Sequence, residues 1–190
     1  WKERLQDLPQ LSFPRCVQPA RTTDKARFVL HHFSDASQIA YGAVSYLRVE
    51  EEDRVSTTLL MAKSRLAPLK EMTIPRLELS AATLATRQDE LIRKELDVEL
   101  EPSQFWTDST IVLQYIRNED RRFHIFVANR VAEIRARSSS TDWHHVPTAE
   151  NPADDCSRGT DALELGKDRW LKGPHFLRLP PEQWPQLGVV

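Results

Sequence analysis

The stretch Phe28-Val-Leu-His-His-Phe-Ser-Asp-Ala-Ser37 runs from an apolar strand, Phe28 to Phe33, into a polar turn, Ser34 to Gln38. A second strand reads Ile39-Ala-Tyr-Gly-Ala-Val-Ser-Tyr-Leu47, and the acidic turn Glu50-Glu-Glu-Asp53 reverses the chain into a third, Val55 to Lys63. Three strands joined by short polar turns predict an antiparallel meander.

Beyond it the period changes. After a loop at residues 64–72, Thr73-Ile-Pro75 is a helix start, with proline tolerated in the first turn. Leu77, Ala81, Leu84, Ala85, Leu91 and Ile92 follow at helical spacing and form one apolar face. Gln104-Phe-Trp-Thr107 reads as a short buried strand, and Asp108-Ser-Thr110 opens a helix with Val112, Tyr115 and Ile116 on one side. Another helix spans about Ile125 to Arg137, with Phe126, Val127, Val131 and Ile134 inward. A last strand covers Asp142 to Val146, and Asn151-Pro152 begins a last short helix. The order is βββ-α-β-α-α-β-α, an α/β arrangement.

Composition narrows the function. With 40% hydrophobic and 28% charged residues among 190, the chain is ordinary for a globular protein with an unstapled core. Cys16 and Cys156 stand in no paired spacing, which argues against a disulfide framework or zinc site and fits a reducing, intracellular compartment. No apolar run approaches a membrane span, so no membrane partner is expected. The opening Trp-Lys-Glu-Arg reads as part of a longer chain. Residues 1–26, with Pro9, Pro14 and Pro19, read as a lead-in containing a short helical stretch. Residues 27–160 form the expected main domain. Residues 161–190, with Trp170, Trp184 and four prolines, read as an extended tail laid on the surface or a linker. A net charge of −2 is awkward for a strong autonomous nucleic-acid binder, whose affinity comes mostly from phosphate neutralisation.

Four acids carry the chemical signal: Asp35, Glu78, Asp108 and Asp154. Each has an ordinary structural role open to it. Asp35 suits a turn, Glu78 a helix first turn, Asp108 a helix cap and Asp154 a capping box begun by Asn151. Their joint placement at element ends favours a metal site. If the first and fourth strands are neighbours, about 4.8 Å apart, the helix from Pro75 brings Glu78 over the same edge. Four carboxylates held together repel one another. A hard divalent cation with oxygen ligands removes that penalty.

Several strings resemble a known family. They are His32-Phe-Ser-Asp-Ala-Ser37 with Ala40-Tyr-Gly-Ala43, Ala62-Lys-Ser-Arg-Leu-Ala-Pro68, Ile74-Pro-Arg-Leu-Glu-Leu79 and Phe105-Trp-Thr-Asp-Ser-Thr110. Phe126-Val-Ala-Asn-Arg-Val131, Asn151-Pro-Ala-Asp-Asp-Cys-Ser-Arg-Gly159, Trp170-Leu-Lys-Gly-Pro174 and Trp184-Pro185 continue the series. Together they resemble the ribonuclease H domain of BEL/Pao-type LTR retrotransposon polyproteins. The resemblance implies a ribonuclease H-like fold, with a five-stranded mixed sheet flanked by helices. It also implies that Asp35, Glu78, Asp108 and Asp154 are catalytic, metal-binding acids. Asp155 competes with Asp154 for the fourth role, although the register Ala-Asp-x-x-Ser-Arg selects Asp154.

The activity so implied is Mg²⁺-dependent cleavage of the RNA strand of an RNA–DNA hybrid with two ions, Mn²⁺ being a chemical substitute. The implied setting is cytoplasmic retroelement particles, alongside an upstream reverse-transcriptase domain. Lys63, Arg65, Arg76, Ser109 and Thr110 are candidate nucleic-acid contacts, each also readable as a solvated or capping side chain. Two departures from the family stand out. The loop Thr148-Ala-Glu150 lacks a histidine, and the Arg117–Phe123 connection has no room for an extra basic helix. The rival reading is a catalytically silent ribonuclease H-like connector or scaffold, since a fold does not guarantee its function. His144, His145, Trp106 and Trp143 read as structural.

Overall fold

The computed structural model describes residues 8–9, 12–13, 25–120, 122–165 and 168–186. The expected helical lead-in, with Pro14, Cys16 and Pro19, lies almost wholly outside them. Strands β1 (Arg27–Ala36), β2 (Ala40–Glu51) and β3 (Arg54–Leu66) form the meander. Helix α1 (Ile74–Glu95) crosses to β4 (Gln104–Thr107), which pairs with β1 in parallel. Helices α2 (Thr110–Arg117) and α3 (Ile125–Arg135) lead to β5 (Trp143–His145), parallel to β4. The sheet order is β3-β2-β1-β4-β5. This is the expected mixed five-stranded α/β sheet.

Neighbouring strand residues point to opposite faces, and the core divides accordingly. Ala43, Phe105 and Trp143 pack with Leu79, Ala82, Val112 and Ile134 beneath α1, α2 and α3. Their neighbours Val44 and Trp106 pack with Phe33 and Tyr46 on the other face. Ala81, Ala82 and Ala85 are almost wholly buried, so α1 lies close to the sheet. The expected apolar stripe of α1 holds except at Leu91, which is 44% exposed. On β1, His31 and His32 are both buried. His32 hydrogen-bonds Ser45 on one side and Asp89 of α1 on the other, at 2.8 and 3.0 Å.

The C-terminal residues depart most from the sequence reading. Short helices α4 (Ala153–Arg158), α5 (Ala162–Leu165) and α6 (Asp168–Lys172) precede 3₁₀ turns at His175–Arg178 and Pro181–Gln183. Instead of lying as an extended tail, this segment closes the second face. Trp170, Phe176 and Leu177 join Phe33, Tyr46, Trp106 and Val146 in one apolar cluster. Full burial of a large apolar side chain contributes about 1.5–3 kcal/mol, so Phe176 and Leu177 anchor the segment firmly. A buried cation reinforces it. Arg48 on β2 donates to the Leu177 and Leu179 carbonyls at 2.7 and 3.2 Å and pairs with Glu50. Its guanidinium also lies 5.2 Å from the centre of the Trp184 ring.

Candidate active site

Register decides the first pair of acids. Ser34 on β1 lies opposite Thr107 on the parallel β4, so Asp35 and Asp108 follow at the same end of adjacent strands. Asp35 is the last residue but one of β1 and is 5% exposed. Burial raises its carboxyl to about 6, against a hydrogen bond from Ser157 that lowers it, and Asp108 and Asp154 add repulsion. The acid therefore belongs to the end of a strand and not to the turn also open to it in the sequence, and two other acids act on it directly.

Helix α1 supplies Glu78 from its first turns. The Ser109 hydroxyl donates to the Glu78 carboxylate at 2.5 Å. Burial raises the Glu78 carboxyl, the Ser109 bond lowers it and Asp108 raises it again. Ser109 also caps α2 by accepting from the Val112 amide. Asp108 is thus left free of the capping duty open to it in the sequence.

Helix α4 brings the fourth acid. Asn151 is buried, donates through its side chain to the Ser34 carbonyl at 3.1 Å and accepts from the Ala153 amide at 3.1 Å. One amide therefore joins the start of α4 to the residue before Asp35. Pro152 occupies the cap position, and the Asp154 side chain bonds Arg158 at 2.5 Å. Asp154 repels Asp35. Asp155 faces elsewhere: burial raises its carboxyl, Arg169 lowers it, and Asp154 and Glu164 raise it. Ser157, in the next turn of α4, donates to Asp35 and to the Asp154 carbonyl.

Close packing makes this seating feasible. A side chain built on Gly42 of β2 would meet the Cys156 β-carbon at 2.5 Å, so only glycine lets α4 lie so near. Ser37 and Ser64 donate to the carbonyls of Ser157 and Cys156 at 2.6 and 2.7 Å. The roles of Gly42 and Ser157 went unread in the sequence, and Asn151 was read as a helix start but not as the tie to Ser34. An Asn-Pro helix start and the small residue in Ala40-Tyr-Gly-Ala43 were the available signals.

The four carboxylates share one end of the sheet without closing on one point. Among the described residues, no three His, Cys, Asp or Glu side chains are posed to hold a metal ion. The donor set nonetheless suits a hard cation. All four donors are carboxylates, and the most buried is held protonation-prone by burial first and by its acidic neighbours second.

The softer candidates scatter around this edge. Lys63 and Arg65 are exposed near the end of β3, opposite Ala43 and Tyr41. Arg76 is exposed on α1, and Thr110 is exposed at the first position of α2. His144 bonds Gln104 at 2.6 Å, and Trp106 and Trp143 are fully buried. These last three are structural, as expected.

Three solved structures that match part of this chain are ribonucleases H. One is LC11-RNase H1, isolated from compost and solved with an RNA/DNA hybrid, at 14% identity, TM-score 0.46, and 73% and 99% coverage of this chain and that one. A second is RNase H1 from the halophilic archaeon Halobacterium salinarum, at 16% identity, TM-score 0.45, and 73% and 98% coverage. A third is an N-terminal RNase H domain from Mycobacterium tuberculosis, at 14% identity, TM-score 0.45, and 71% and 98% coverage. No curated protein matches the chain. Residues 1–109, which carry Asp35, Glu78 and Asp108, match the family described as the Pao retrotransposon-like RNaseH-like domain. With more than half of its length so matched, this chain belongs to that family.

Proposed function

We propose that this domain is a divalent-metal-dependent ribonuclease H that hydrolyses the RNA strand of RNA–DNA hybrids during reverse transcription. The observation that carries the reading is the β1–β4 register, which sets Asp35 and Asp108 side by side. Asp154 and Glu78 are coupled to that pair through their charges. Asp35, Glu78, Asp108 and Asp154 would hold two Mg²⁺ ions, or Mn²⁺ in their place. Bound there, the ions supply an activated water and neutralise charge on the scissile phosphate and the leaving 3′ oxygen.

The protein's own groups prepare that chemistry. Burial first, then Asp108 and Asp154, disfavour a charged Asp35, so positive charge is favoured beside it. Ser157 and Ser109 each orient one carboxylate, and Asn151 fixes α4 to β1. The Asp154–Arg158 pair must open for Asp154 to turn inward; because Arg158 is largely exposed, the cost is small. Cleavage would leave 5′-phosphate and 3′-hydroxyl ends. Hybrid would be recognised by shape and by the 2′-hydroxyl.

Near-neutral net charge and the short α2–α3 connection argue for weak binding in isolation. An upstream reverse-transcriptase domain in the same polyprotein, within retroelement particles, would raise the local substrate concentration. A silent scaffold draws support from Asp154 being engaged by Arg158. Incubating labelled hybrid with Mg²⁺ and with EDTA separates the two readings. Cleavage of the RNA strand only with Mg²⁺ supports the nuclease; an uncut hybrid with folded protein supports the scaffold.

A further inference from the structure

A second polar feature lies outside the acidic site. Arg76, Ser80, Thr83 and Arg87 recur at spacings of four, three and four along α1, which places them on one face. Ser80, Thr83 and Arg87 line a cavity of about 50 Å³ together with Tyr41 of β2, Arg65 of β3 and Arg130 of α3. A water-sized sphere needs about 10–15 Å³, so the space suits a group of roughly four oxygens.

The charge balance there is lopsided. Three guanidiniums line the cavity, and the neighbouring carboxylate is Glu133. Arg87 takes it through two bonds, at 2.6 and 3.0 Å, while Arg130 reaches it only at 3.4 Å. The Nε of Arg130 is buried and has no hydrogen-bond partner. Burying a donor without a partner is unfavourable, so an arriving acceptor is favoured. The hydroxyls of Ser80 and Thr83 already donate to the Arg76 and Leu79 carbonyls, so the open donors come from the arginines and Tyr41.

An aromatic shelf steadies one of these cations, Arg130, together with Arg76 outside the cavity. The guanidiniums of Arg76 and Arg130 lie 5.6 and 5.5 Å from the centre of the Phe126 ring. Cation–π contact at that range steadies a side chain without consuming its N–H donors. Arg76 stands two residues before Glu78, so the stripe begins beside the acidic cluster and runs away from it.

We propose that the Tyr41–Arg65–Arg87–Arg130 cavity binds a backbone phosphate of a nucleic-acid strand leading away from the acidic site. The inference rests on the nuclease reading for its choice of polymer, but binding and cleavage can be tested separately. Binding of a labelled RNA–DNA hybrid to the 190-residue chain is followed by anisotropy in EDTA across a salt series. Each phosphate contact contributes about 0.9 to the slope of log K against log salt. Arg130→Ala and Arg65→Ala should each weaken binding and flatten that slope by about this amount. Arg130→Lys should keep the slope, and Lys94→Ala, at the far end of α1, should change neither quantity. Thermal melts confirm that each variant is folded.

A second arm follows the Arg130 Nε resonance during titration with hybrid and with inorganic phosphate alone. The signal should move with hybrid at concentrations where phosphate leaves it unmoved. An unchanged slope in folded Arg130→Ala overturns the proposal. So does a cavity that responds to free phosphate while hybrid binding ignores Arg130. Arg130-dependent binding without Mg²⁺-dependent cleavage would remove the nuclease reading and leave this cavity standing.

Discussion

Gly42 on β2 and Cys156 on α4 approach so closely that a methyl group on the glycine would stand 2.5 Å from the Cys156 β-carbon. The contact sets the height of α4 above the sheet, and with it the placement of Asp154 and Ser157. Gly42→Ala should therefore push α4 outward at a cost of about 1–3 kcal/mol. Elsewhere in a strand the same change would favour folding. A lower melting temperature with severely reduced hybrid cleavage is expected. A variant as stable and as active as the parent would show that α4 is seated differently.

Asp35→Asn and Asp108→Asn keep side-chain shape and remove charge. Each should abolish Mg²⁺-dependent cleavage while the circular dichroism spectrum stays native. Near-normal turnover in either would refute the assignment.

The two acids of α4 should separate by function. Asp154 acts on Asp35, whereas Asp155 lies beside Arg169 and Glu164. Asp154→Asn should cut turnover sharply and Asp155→Asn should leave it largely intact. A melt must accompany both, because Asp154 also pairs with Arg158. An inactive, folded Asp155→Asn would move the fourth ligand by one residue.

His31 gives a pH signature. Burial first, then Arg48, His32 and His144, hold it well below its ordinary value of 6.5. The unfolded chain therefore takes up a proton near pH 6.5 that the folded chain refuses. Stability from this group is complete above pH 6.5 and is lost as the pH falls below it. Asp35, raised to about 6, acts in the opposite sense between pH 4 and 6, so the comparison must be between variants. His31→Phe should flatten the acid side of the stability curve relative to the parent, measured by urea melts from pH 5 to 8. Parallel curves would mean that His31 takes up its proton as readily in the folded chain as in the unfolded one.

Much of this architecture was legible in the sequence. The meander shows because apolar runs alternate with short acidic or polar turns. The Asp35–Asp108 pairing shows because both acids end strand-like runs. The C-terminal segment was misread because 3₁₀ turns and prolines erase the 3.6-residue period that marks a packed helix. Phe176 and Leu177 thus look like surface residues until Phe33 and Trp106 are placed beneath them. Burial of His31 and His32 was equally hidden. Paired histidines in an apolar strand suggest one solvated face, and only a sheet covered on both sides buries both.

Arg48 finds its backbone acceptors at Leu177 and Leu179, separated from it by 129 and 131 residues. During synthesis, β2 therefore leaves the ribosome long before the carbonyls that accept hydrogen bonds from its buried guanidinium exist. Until then one face of the sheet is bare, with Tyr46 and Trp106 uncovered. Contacts of such long range form slowly. Closure of this face therefore waits until the segment carrying Phe176, Leu177 and Trp184 is available to pack.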